Sequence, residues 1–133
     1  ASEYEQQLRR ATKTTALTQP RLDLILLGLG EDGHTASIFP ETPLVQDRQR
    51  AIAVTQSPKD PPTRLTMTLG VINRASVILF LVAGADKAGV VRAILDPKTE
   101  AERQLPAALV RPEDGRLVWL LDQAAAAELP MDR

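Results

Sequence analysis

Within Gly28-Leu29-Gly30-Glu31-Asp32-Gly33-His34-Thr35-Ala36-Ser37 stand three glycines, two carboxylates and the only histidine of the chain. Gly28, Gly30 and Gly33 allow positive φ and let backbone N–H groups come close to a ligand. An unperturbed imidazole titrates near pH 6.5, about half a unit from neutrality, so a histidine such as His34 can take or give a proton near neutral pH. Asp32, two residues away, can orient that imidazole and stabilise its charged form. If a helix begins near Thr35, its first N–H groups favour an anion or a developing oxyanion at the same place. Proton transfer beside an anion-friendly pocket is the chemistry this spacing suits. A glycine-rich surface turn with a capping histidine has the same composition, and the turn alone does not separate the two.

Two further segments offer cations. Lys87, in Ala83-Gly84-Ala85-Asp86-Lys87-Ala88, lies in the first turn of an expected helix, against the helix dipole. An anionic ligand between the lysine and the helix end would resolve that conflict; a solvated lysine is the plain alternative. Ser57-Pro58-Lys59-Asp60-Pro61-Pro62-Thr63-Arg64 reads as a stiff extended loop. It presents Lys59 and Arg64, and a rigid approach lowers the entropic cost of offering a guanidinium to a phosphate or carboxylate. Incidental loop charge is again the alternative.

These residues need a scaffold. Leu22–Leu27, Ser76–Val82 and Leu117–Leu121 are short apolar runs bounded by breakers, which predicts buried strands. Ala51–Thr55 and Pro106–Val110 predict weaker strands, and Leu65–Leu69 extended chain. Helices are expected over Glu3–Thr14, Thr35–Phe39, Gly70–Ala75, Asp86–Leu95 and Gln123–Leu129, the last capped by Asp122. Glu113-Asp114-Gly115 reads as a turn. Strands alternating with helices indicate an α/β domain with a mainly parallel sheet, in which ligands bind beyond the carboxyl ends of the strands. Both glycine-bearing turns fall at such ends. Trp119 and Phe80 sit inside apolar runs and are expected in the core.

Bulk composition narrows the function further. A length of 133 residues suits one core, so residues 1–133 are expected to form a single α/β domain. The 16 basic and 17 acidic residues nearly cancel, which gives no pull toward nucleic acid or a membrane surface. At 3% aromatics, a base-stacking platform is not expected. No apolar stretch has the length of a membrane span. The lack of cysteine excludes disulfides and thiolate ligands from this stretch and fits a cytoplasmic setting. One histidine excludes a histidine-rich metal site.

The run Leu26-Leu27-Gly28-Leu29-Gly30-Glu31-Asp32-Gly33-His34-Thr35-Ala36-Ser37-Ile38-Phe39-Pro40 closely resembles the signature of the 6-phosphogluconolactonases. Ser57-Pro58-Lys59 with Arg64-Leu65-Thr66, Val82-Ala83-Gly84 with Lys87-Ala88, Leu105-Pro106-Ala107, and Val118-Trp119 with Leu121-Asp122 continue the resemblance in family order. It implies a Rossmann-like α/β sandwich that hydrolyses 6-phosphoglucono-δ-lactone, a sugar-phosphate lactone, to 6-phosphogluconate, without metal or organic cofactor. It makes His34 the proton-transfer residue and Asp32 its support. Lys87 and Arg64 become cationic contacts to the phosphate, with Lys59, Gly30, Gly33 and Thr35 also at the binding site. The related glucosamine-6-phosphate deaminases need a glutamate where Phe39 stands. A non-catalytic sugar-phosphate-binding or assembly module is the other alternative. Family members carry an N-terminal half, with a Gly-Gly-Ser-type phosphate loop, that does not occur here. The chain therefore reads as the C-terminal portion of the fold, inactive or weak by itself. Its truncated sheet is expected to leave an edge and apolar faces uncovered, which invites self-association.

Overall fold

The computed structural model describes residues 1–15 and 17–131. Three parallel strands form the main sheet: β1 (Leu24–Leu27), β4 (Val77–Val82) and β5 (Arg116–Leu121), in the order β1-β4-β5. Leu27 pairs with Phe80, and Phe80 with Trp119, so the three apolar runs meet in register. Between β1 and β4 the chain makes an antiparallel pair, β2 (Ile52–Gln56) and β3 (Thr63–Met67). The helices are α1 (Ser2–Ala11), α2 (Leu69–Ile72), α3 (Ala88–Leu95) and α4 (Glu100–Arg103).

One face of the main sheet is the core. Ile25, Leu27, Ile78, Phe80 and Val82 are buried there against Val90 and Val91 of α3 and against Ile38, Leu69 and Ile72. Phe80 is fully buried, as expected of a core residue, whereas Trp119 is only partly buried and stacks on it at 3.9 Å from the edge of the core. The other face is open. Leu24 and Leu26 are 53% and 57% exposed, and Leu81 and Leu120 are 50% and 53% exposed. The continuous apolar run of β1 predicts burial on both sides, yet its side chains alternate between core and solvent. Parallel strands carry apolar residues on both faces because both are normally covered; here only one is.

Three other expectations change. Thr35–Phe39 is not a helix but a bridged turn pairing Thr35 with Ile38, with Ala36 at φ 50°. The positive φ at Ala36 takes the backbone out of the right-handed helical region, and the Thr35 hydroxyl is tied back to the Gly28 carbonyl. Helix-dipole stabilisation of an anion at Thr35 falls with that helix. Pro106–Leu109 is a 3₁₀ turn rather than a strand; Pro106 lacks an N–H and its fixed φ suits a first helical position. Gln123–Leu129 forms successive turns rather than a continuous helix. Asp122 does cap it, its carboxylate accepting the Ala125 N–H at 2.7 Å. The bonds Ala127 to Ala124 and Leu129 to Ala126 are of the tighter i→i+3 kind.

Candidate active site

The loop after β1 is folded by its own backbone. Gly30 N–H donates to the His34 carbonyl and Gly33 N–H to the Gly30 carbonyl, both at 2.9 Å. This closure turns residues 30–34 back on themselves and stacks the His34 side chain over Gly30. A Cβ at Gly30 would stand 2.1 Å from both Cε1 and Nδ1 of His34 and 2.8 Å from Asp32 Oδ1. Only a residue without a side chain leaves room for the pair. Gly33 lies at φ 87°, in the region that favours glycine, and a Cβ there would meet Leu105 at 2.9 Å. Its carbonyl accepts the Ala107 N–H. The segment Leu105-Pro106-Ala107 therefore backs the loop from behind.

His34 Nδ1 lies 2.5 Å from Asp32 Oδ1, and the same oxygen accepts the His34 backbone N–H at 3.1 Å. Partial burial pushes the Asp32 carboxyl up. The two hydrogen bonds from His34 and the attraction of the imidazole outweigh that effect and hold it below the usual carboxylate range. An ionised carboxylate only accepts, so Nδ1 carries the hydrogen. Nε2 is then the nitrogen able to take a proton. The ring also packs on Phe39, with centroids 4.7 Å apart.

His34 lines a cleft of about 500 Å³ at the carboxyl end of β1, with Gly28 to Glu31, Thr35, Ala36, Met67, Lys59 and Lys87. Lys87 arrives from the turn after β4, and its Nζ donates to the Leu29 carbonyl at 2.9 Å. That turn is set by Gly84 at φ 104°, whose N–H points between both oxygens of Asp122. Lys59 arrives from the β2–β3 loop. Two cations from separate elements thus share one cleft with the His34 imidazole, while Asp32, which does not line the cleft, holds that ring; the layout suits an anionic substrate that needs proton transfer.

Not every candidate residue faces the cleft in the same way. Thr35 lines it, but its buried hydroxyl already donates to Gly28. Gly30 and Gly33 shape the loop. Arg64 is not among the cleft residues; its guanidinium donates to the carbonyls of Lys59, Asp60 and Pro61. Conversely, Glu31, Ala36 and Met67 line the cleft without having been candidates. Glu31 could have been found by its place beside Asp32. Nothing in the local sequence marks Met67, which reaches the cleft through the β2–β3 pairing. Thr66 was also missed as a support: its buried hydroxyl accepts the Ser37 N–H at 3.1 Å and ties β3 to the loop. Among the described residues, no group of three or more His, Asp or Glu side chains is placed to hold a metal ion.

The profile of the glucosamine-6-phosphate isomerases/6-phosphogluconolactonases matches residues 1–119. The human 6-phosphogluconolactonase is 46% identical over 127 residues, covering 95% of this chain and 48% of that protein. The 6-phosphogluconolactonase of Synechocystis is 46% identical over 129 residues, covering 97% and 52%. A crystal structure of 6-phosphogluconolactonase from Leishmania guyanensis superposes with a TM-score of 0.82 at 33% identity, covering 98% of this chain and 52% of that one. The chain spans about half the length of the curated relatives it matches.

Proposed function

The chain belongs to the glucosamine-6-phosphate isomerase/6-phosphogluconolactonase family, and on that premise we propose that it carries the base-bearing part of a site that hydrolyses 6-phosphoglucono-δ-lactone to 6-phosphogluconate. The observation that carries this reading is the His34–Asp32 pair, 2.5 Å apart, at a cleft that also holds Lys59 and Lys87. His34 Nε2 removes a proton from water as its oxygen attacks the lactone carbonyl. The tetrahedral oxyanion collapses, the bond from the carbonyl carbon to the ring oxygen breaks, and the imidazolium returns its proton to that oxygen. Asp32 holds the ring and stabilises its charged form during the step. Lys59 and Lys87 attract the phosphate and hold the substrate in the cleft. Phe39, packed against His34, supports this choice over deamination, since it offers no carboxylate where a deaminase needs one.

We further propose that the reaction takes place in the cytoplasm, which the absence of cysteine in this chain fits. The apolar outer face of the sheet would be covered in solution, by a second copy of the chain or by polypeptide matching the half of the relatives that this chain does not span. The functional reading is tested by replacing His34 with Ala in the intact protein. Lactone hydrolysis is expected to fall by about 10²–10⁴-fold, with thermal unfolding little changed because the ring is partly exposed. Hydrolysis at the original rate would remove His34 from the mechanism.

A further inference from the structure

We infer that Arg64 is a positioning residue: it folds the β2–β3 loop so that Lys59 reaches the cleft, and it is not itself a contact of the anionic ligand. The inference rests on the cleft being the phosphate-ester site proposed above. Arg64 stands on β3 opposite Thr55 of β2. Its side chain turns back along the loop joining those strands. Nε donates to the Pro61 carbonyl at 3.0 Å, and Nη2 donates to Asp60 and Lys59 at 3.1 and 3.4 Å. Three successive carbonyls are thus gathered on one planar donor fork, which a lysine could not reproduce. The base of the loop is pinned independently: Ser57 N–H donates to the Pro62 carbonyl at 2.6 Å, and Ser57 Oγ accepts the Lys59 N–H at 3.0 Å.

The consequence for the cleft is geometric. Lys59 is exposed and lines the cleft beside His34 and Lys87, whereas Arg64 does not line it. A loop rich in proline has few N–H donors of its own, so a side chain that bridges several of its carbonyls can fix its shape where internal backbone bonds cannot. Arg64 is that side chain. Removing it frees the loop at the point where Lys59 leaves it, and the ammonium then spends less time over the ligand's charge.

The test is a double-mutant cycle in the intact protein, read by calorimetric binding of 6-phosphogluconate and by the lactone KM and kcat. Lys59→Ala and Arg64→Ala are each expected to weaken binding and raise KM about tenfold with kcat little changed, and the double variant should be no weaker than either single one. Losses that multiply to about a hundredfold would make Arg64 an independent ligand contact and overturn the inference. No loss in Lys59→Ala would overturn it as well. A ligand-free arm keeps the inference separate from the functional reading. In Arg64→Ala, amide exchange of the peptide spanning Ser57–Thr63 should quicken while that of β1 and β4 is unchanged. Unaltered exchange there overturns the positioning role even if the protein neither binds the acid nor opens the lactone; that second failure alone would sink the functional reading.

Discussion

At the scale of single residues, room for the proposed base matters as much as the base itself. The imidazole and its carboxylate partner occupy the space that any side chain at position 30 would fill. Gly30→Ala is therefore expected to displace His34 from Asp32 and to lower lactone hydrolysis about as far as His34→Ala, by roughly 10²-fold or more. Kinetics of the two variants side by side check this; near-normal kcat in Gly30→Ala would show that the loop relaxes around the methyl group. Asp32 offers charge as well as position: the hydrogen bonds from His34 hold its carboxyl below the usual carboxylate range, so it is ionised at neutral pH. The motif was fully legible as a contiguous string of residues. The reason for Gly30 was not, because a steric limit depends on where the His34 side chain comes to rest.

Among the elements, α4 illustrates how a short helix of four residues persists. Thr99 and Glu102 form a reciprocal capping box, and Glu102 also pairs with Arg92 of α3. The Arg92 hydrogen bond, with backbone N–H groups of Lys98 and Thr99, pulls the Glu102 carboxyl from 4.5 down to about 2. The folded-state value lies below the unfolded one. The contribution is thus complete above about pH 4.5 and is lost as pH falls toward 2. Glu102→Gln should lower the unfolding temperature at pH 7, and the difference from the unaltered chain should shrink through that window. A pH-independent difference would mean that packing, not charge, couples α4 to α3. Helix signals in the sequence were reliable for α1 and α3, where apolar spacing spans two or more turns. They failed at Thr35–Phe39, where Ala36 takes a positive φ, and at Gln123–Leu129, where i→i+3 bonds replace part of the helical ladder.

For the whole molecule, the decisive feature is a parallel sheet with one buried and one open face. Leu24, Leu26, Leu81 and Leu120 place half-exposed leucines on that open side of adjacent strands, and contiguous apolar surface of this kind marks an interaction site. The 133-residue chain by itself is expected to self-associate in sedimentation, and Leu26→Gln with Leu120→Gln should shift it toward monomer. A monodisperse monomer at high concentration, unaltered by these changes, would contradict that. What the sequence determined alone is whatever local spacing encodes: the glycine-rich loop that carries His34 and Asp32, the three apolar strands between their breakers, and the glycine turns at strand ends. Only the tertiary structure decided which polar groups meet there. Lys59 and Lys87 come to His34 from distant elements through strand pairing. Arg64 and the Thr35 hydroxyl, equally plausible as ligand contacts, are taken up by backbone carbonyls beside them. The cause is physical: a side chain's direction follows from backbone dihedrals set by remote pairing partners, and its donors bond the acceptors which that geometry brings within reach.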